Sequence, residues 1–352
     1  MMAGEFAVLE PHHNLAVMAV DRFVYATLEE GSVNRLTLQD FKLNDLKWNY
    51  QNDTVHIFSE DGRVRFVEAA MTIALNYLHE QNIIPEHFSL TIKSELDDAS
   101  GIKYGLGSSA AVVTSVITAI LKKYLHKDPI PELIFKLASI AHVKTQGNGS
   151  GADVAASSYG GILEYSSFQA DWLREAYRKT DSLMELLETE WTYLSVQPIT
   201  LPANIYICIG WTGKPASTAK LVDEILKLKV DDPNAFQKFL DSSESAVEKI
   251  TQGMKSNNIP MLLEGVKQNR RALATAGDQA NVAIETPLLT KLCGLAEQFG
   301  GAGKPSGAGG GDCGIAFMSS KKEADELLGA WSEAGIKPLN IQVNEAGASV
   351  IE

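Results

Sequence analysis

The spacing of hydrophobic and polar positions changes period several times along the chain. In VRFVEAAMTIALNYLHEQ, Phe66, Ala69, Ile73 and Tyr77 recur at helical spacing, which predicts an amphipathic helix. FSLTIKSEL alternates as a strand does, and the glycine-rich YGLGSS that follows leads into an almost wholly apolar run from Ala110 to Leu121. Residues 131–145 predict another helix, with Pro131 in the first turn, where its missing N–H costs nothing. The opening stretch MMAGEFAVLEPHHNLAVMAVDRFVYATLEEG reads as strands broken by a turn from Glu10 to Asn14. GILEYS is strand-like, and a polar helical segment from about Asp171 to Glu190 reads as a domain connection, dividing the chain into 1–190 and 191–352. The second part predicts a strand in ANIYICIGW, helices between about Ser217 and Phe299, a long glycine loop, a helix in KKEADELLGAWSEAG and a final strand KPLNIQV. Strands and helices alternate in both parts without a fixed repeat, so the expected fold class is α/β or α+β in two domains.

Composition narrows the functions. The chain has 352 residues, 45% of them hydrophobic, enough for two buried cores. A net charge of -13 opposes general binding to nucleic acid or to a membrane surface, since both are polyanionic, so any anionic ligand needs local cations. The three cysteines, Cys208, Cys293 and Cys313, are widely spaced and suit a reducing compartment better than a disulfide framework. The run from Ala110 to Leu121 is too short to span a bilayer, and no signal peptide opens the sequence, so the expected location is cytoplasmic.

The glycine loops carry the chemistry. A glycine loop running into a helix exposes backbone N–H groups at the helix's positive end, and the missing Cβ atoms let an anion approach closely. Gly105, Gly107, Ser108 and Ser109 form such a cradle, with Lys103 just upstream; serine is also a preferred helix cap. A Walker A loop is absent, because Gly213-Lys214 and Gly303-Lys304 are each followed by proline. A dinucleotide fingerprint at Gly105-x-Gly107-x-x-Ala110 lacks its acidic partner, since Lys122 to Lys127 is basic and helical. Three more loops pair glycine with lysine: KTQGNGSGAD with Lys144 and Asp153, GWTGKPAST with Lys214, and GKPSGAGGGD with Lys304 and Asp312. Together they predict a site for several phosphates.

Three blocks in order, AGEFAVLEP, GLGSSAA and KPSGAGGGDCG, resemble the kinase superfamily of galactokinase, homoserine kinase, mevalonate kinase and phosphomevalonate kinase. AVDRFV, AHVKTQGNGSGADVAAS and the stretch Ile209 to Thr212 are most similar to its bacterial phosphomevalonate kinase branch. The resemblance implies an N-terminal domain like ribosomal protein S5 domain 2 and a ferredoxin-like C-terminal domain, with ATP, Mg2+ and phosphomevalonate bound between them in a monomer or homodimer. It places Gly105, Leu106, Gly107, Ser108, Ser109, Ala110, Ser306, Gly307, Gly309 and Gly310 on the nucleotide, with Ser109 also on the metal. Asp153 matches the family's catalytic aspartate, and Glu5, His12, Ser150, Gly151, Trp211, Thr212, Ser217, Thr218, Arg271 and Gly311 would face the acceptor; Lys103 and Lys144 are the cations that could offset the repulsion between a phosphate acceptor and ATP, and a lone carboxylate such as Glu5 has a structural reading as well.

Two departures from the family pattern stand out. Relatives carry a strand and a lysine ahead of the AGE block, where this sequence has Met1 and Met2. Alcohol-phosphorylating relatives place a magnesium-binding glutamate ahead of the catalytic aspartate, where this sequence has His142, read as a packed or capping side chain. Another acceptor of the same superfamily, mevalonate or a sugar, and a non-catalytic ligand sensor are the alternative readings.

Overall fold

A computed structural model describes residues 1–97, 101, 103–214 and 218–351. The elements in order are β1 (Asn14–Met18), β2 (Val24–Glu30), β3 (Arg35–Leu38), β4 (Leu43–Gln51), β5 (Thr54–Ile57), α1 (Arg65–Glu80), β6 (Phe88–Ser94), α2 (Ser108–Tyr124), α3 (Pro131–Gln146), α4 (Ala152–Tyr159), β7 (Ile162–Ser166), α5 (Ala170–Lys179), α6 (Leu183–Glu188) and β8 (Ser195–Ile199). Then follow β9 (Tyr206–Trp211), α7 (Thr218–Asp231), α8 (Pro233–Lys255), α9 (Ile259–Gln279), α10 (Pro287–Gln298), β10 (Ala302–Pro305), β11 (Cys313–Met318), α11 (Lys321–Glu333) and β12 (Lys337–Leu339).

Local chemistry explains many of the boundaries. Asp232, Asn258 and Thr286 each accept a backbone N–H at the start of α8, α9 and α10, and each of those helices has proline in its first two positions. Ser320 accepts the Glu323 N–H at 3.2 Å to open α11, with the Glu323 carboxylate 2.9 Å from the serine hydroxyl. Gly147 ends α3 in the left-handed region, φ 85°.

The strands form three sheets. The five-stranded sheet runs β2-β6-β3-β4-β5, antiparallel except where β3 lies parallel to β6. The four-stranded sheet runs β10-β11-β9-β12, all antiparallel, and with α11 between β11 and β12 it has the ferredoxin-like strand order. The three-stranded sheet β1-β7-β8 lies between two cores. Leu15 and Val17 of β1, with Leu163 and Tyr165 of β7, face the large core around α1, α2 and α3. Their neighbours Ala16 and Ile162 face a second core with Val247, Ile250, Leu262 and Phe317. Period-two alternation thus sends both faces of β1 into apolar surroundings, which is why NLAVM has no polar stripe.

Three sequence expectations need correction. Residues before Glu10 form a 3-10 turn, Ala7–Leu9, and an isolated bridge between Ala3 and Ala16, not a strand. The polar segment read as a connection packs into the first core, because Leu173, Leu183, Leu186 and Trp191 bury one side of it, and β8 then pairs with β7. The final strand stops at Leu339, and the remainder crosses back to the N-terminal part: Asn344 N–H donates to Ala19 C=O and Gly161 N–H to Asn344 C=O. Among the described residues no helix is long and apolar enough to cross a membrane.

Candidate active site

A cleft of about 970 Å³ lies where these elements meet, lined by Glu5, Gly105–Gly107, His142, Ser150, Asp153, Ser306–Ala308, Asp312 and the tail residues 346–351. Gly105 and Gly107 adopt φ of 77° and 76°, a conformation that a side chain would strain. Gly107 caps α2, so Ser108 and Ser109 belong to the helix's first turn and not to its cap. Freed of a capping task, the Ser109 hydroxyl lies 3.1 Å from His142 Nε2, while Ala110 is fully buried.

The loops meet through carboxylates packed on glycine. A Cβ on Gly107 would stand 3.2 Å from the Asp153 Cβ, and one on Gly105 would stand 2.5 Å from the Asp312 carboxyl carbon. Asp153 lies in the first turn of α4 behind the left-handed Gly151, half-buried, and its Oδ1 accepts the Val154 N–H at 3.0 Å. Gly151 packs so tightly on Phe168 that a Cβ would come within 2.4 Å of the ring. Ser150 Oγ accepts the Ala152 N–H, and its carbonyl accepts the buried Tyr165 hydroxyl at 2.6 Å.

The last glycine loop is held from behind. Gly310 N–H donates to Ile284 C=O at 2.7 Å, and Gly309 is wedged against the same carbonyl. Thr212 donates both its N–H and its hydroxyl to Asp312 C=O, at 2.9 and 3.0 Å. Gly311 is buried, and the Ser306 hydroxyl donates to Met1 C=O. Beneath this loop Lys304 and Glu5, 0% and 1% exposed, form an ion pair at 2.5 Å, and Glu5 also accepts the Gly307 N–H at 3.3 Å. Lys304 is therefore a structural cation and not a phosphate hand, and Glu5 supports the loop.

Lys144, Arg271, His12, Trp211 and Lys103 are not among the residues that line the cleft. Lys144 is exposed, with Nζ 3.5 Å from the Tyr177 hydroxyl and 5.3 Å from its ring centroid. Arg271 is on the outer face of α9, paired with Glu264, because the buried face of that helix carries Asn269, Ala272 and Leu273. His12 is exposed and stands edge-on to Tyr193. Trp211 is buried with Ile209, Cys313 and Ile341 and meets Tyr104 at 5.2 Å, while Lys337 stacks over both rings. Lys103 is exposed and pairs by a backbone bridge with Asp97. Ser217 lies outside the described residues; Thr218 opens α7.

Sequence reasoning passed over the tail and Arg22, which also line the cleft. Only proximity in space identifies them, since Arg22 Nη2 donates to Asn340 C=O at 2.6 Å across most of the chain's length.

Backbone N–H groups at a helix start, a second glycine loop facing them and a carboxylate packed on the first suit phosphoryl transfer, which depends on positioning and charge stabilisation. The family model described as GHMP kinases N terminal domain matches residues 66–161, and that described as GHMP kinases C terminal matches residues 246–337. A phosphomevalonate kinase of Streptomyces sp. (strain CL190) is 30% identical over 96% of this chain and 93% of its own. Among solved structures, the Lin0012 protein of Listeria innocua is 36% identical with a TM-score of 0.91, covering 97% of this chain and 96% of that one. Phosphomevalonate kinase of Streptococcus pneumoniae, in complex with phosphomevalonate and AMPPNP, is 25% identical with a TM-score of 0.83, covering 97% and 96%. The chain belongs to the GHMP kinases, ATP-dependent phosphotransferases, and has their two domains.

Proposed function

We propose that this kinase transfers the ATP γ-phosphoryl group to (R)-5-phosphomevalonate, giving 5-diphosphomevalonate and ADP. The observation that carries the reading is the near full-length similarity to phosphomevalonate kinases, one of them in complex with phosphomevalonate and AMPPNP. Gly105–Ala110 would hold the nucleotide phosphates by backbone N–H groups at the start of α2, and Ser306, Gly307, Gly309 and Gly310 would line them from the facing loop, where the N–H groups of Ser306, Gly307 and Gly310 are already taken by Cys313 C=O, Glu5 and Ile284 C=O. The donor set fits magnesium in that the Ser109 hydroxyl is a hard oxygen at the cradle, and an ion that keeps waters and phosphate oxygens would complete its shell from those. Bound there, magnesium would offset the charge of the β- and γ-phosphates.

The acceptor needs little base catalysis. A phosphomonoester has its second pKa near 6, so its attacking oxygen is mostly deprotonated at neutral pH. Asp153, with Ser150 and Gly151 beside it, would orient the acceptor opposite the γ-phosphate. Lys103, exposed two residues ahead of Gly105, is the proposed cation for the incoming dianion.

An ADP-release assay with ATP and magnesium, offering phosphomevalonate, mevalonate and galactose separately, tests this. The expected result is turnover with phosphomevalonate alone, reduced by about a hundredfold or more in Asp153→Ala through lost orientation. Turnover with mevalonate or galactose and none with phosphomevalonate would contradict it.

A further inference from the structure

His142 lines the cleft beside the first glycine loop, and the proposed reaction gives it no task. It is 3% exposed, on α3, with its ring 5.3 Å from that of Phe66 on α1. Its Nε2 reaches across to Ser109 Oγ on α2 at 3.1 Å. A buried imidazole needs a hydrogen-bond partner, and His142 finds it in the hydroxyl of the first turn of α2. A serine in the first turn of a helix has several rotamers, and a free hydroxyl there would swing between them.

We infer that His142 is a positioning residue that fixes the Ser109 hydroxyl toward the nucleotide phosphates and their magnesium. A serine oxygen carries one proton and two lone pairs. If Nε2 accepts the O–H, both lone pairs remain for a cation; if Nε2–H donates, one lone pair remains and the O–H turns to a phosphate oxygen. Either tautomer gives the hydroxyl one orientation. The imidazole does this without adding a carboxylate to a cleft that already holds Asp153 and Asp312 and must admit a nucleotide polyanion. The inference rests on the proposed seating of the phosphates at the start of α2, and not on the identity of the acceptor.

Calorimetric titration with ADP, in the presence and absence of magnesium, tests it without turnover. Side-chain partners of metal ligands are typically worth 10- to 100-fold in metal affinity, so His142→Leu should weaken magnesium-ADP by roughly tenfold and metal-free ADP by less than that. His142→Asn, polar but too short to reach Ser109, should behave like the leucine variant and serves in its place if that variant unfolds. His142→Gln, whose amide reaches the Nε2 position, should restore most of the affinity. Ser109→Ala with His142→Leu should bind no more weakly than Ser109→Ala alone, as a residue acting through another requires. Losses that multiply in the double variant, or an asparagine variant as tight as the glutamine one, would overturn the inference. If Ser109→Ala leaves magnesium-ADP binding unchanged, the seating of the phosphates fails first and the role of His142 with it. If Ser109→Ala weakens binding and His142→Leu does not, only the positioning role fails.

Discussion

Glu5 and Lys304 are almost wholly buried charged side chains, joined at 2.5 Å beneath the last glycine loop. Removing one member of such a pair strands the other, at a typical cost of 3–5 kcal/mol, whereas replacing both by apolar groups is often close to neutral. Lys304→Met should therefore destabilise by about 3–5 kcal/mol in urea unfolding, and Glu5→Leu with Lys304→Met should recover most of that. A double variant as unstable as the single one would show that the pair does more than balance charge. The cysteines make a second residue-scale case. Burial pushes the thiols of Cys208, Cys293 and Cys313 each up to about 12 from an ordinary value of 9.0. Between those values the unfolded chain sheds protons that the folded chain keeps, so this contribution to stability is whole below about pH 9 and is lost as pH rises toward 12. The native protein should leave all three thiols unreacted with a thiol reagent at pH 8, and urea should expose all three; a fast-reacting thiol in the native state would contradict the burial.

At the scale of elements, the tail depends on glycine. A Cβ on Gly347 would fall 2.1 Å from Ser158 C=O at the end of α4, and one on Gly160 would fall 2.4 Å from the Ala346 carbonyl carbon. Gly347→Val should release the tail, seen as new protease cleavage after about residue 340, and should cost up to about 3 kcal/mol in stability. Because α4 carries Asp153, phosphoryl transfer should fall with it, while nucleotide binding at α2 should change little. Helices of this kind were legible from local chemistry: the spacing of Phe66, Ala69, Ile73 and Tyr77 marks α1, and Pro131 marks the start of α3. The tail was not, because KPLNIQV has strand composition throughout, yet β9 pairs only with Lys337–Leu339 before the chain leaves it for Ala19 and Gly161. The contact of Ser109 with His142 was likewise hidden, since it joins two helices whose packing no local pattern states. Arg271 misled for the same reason: its neighbour Asn269 takes the inward face of α9.

For the whole molecule, the three-stranded sheet is shared by two cores. Ala16 and Ile162 on one face and Leu15 and Leu163 on the other are each at most 2% exposed, so neither core can open alone without exposing the other's wall. Tryptophan fluorescence and far-UV circular dichroism should therefore report a single coincident urea transition, and two separated transitions would contradict the shared sheet. The two glycine loops meet where Asp312 packs on Gly105, and phosphoryl transfer depends on such positioning. The most direct test of that chemistry is phosphorus NMR of the product formed from ATP, magnesium and phosphomevalonate. The account predicts that the acceptor's phosphomonoester signal gives way to the two mutually coupled signals of a diphosphate, alongside ADP. ADP formed while the phosphomonoester signal persists would contradict a phosphate acceptor.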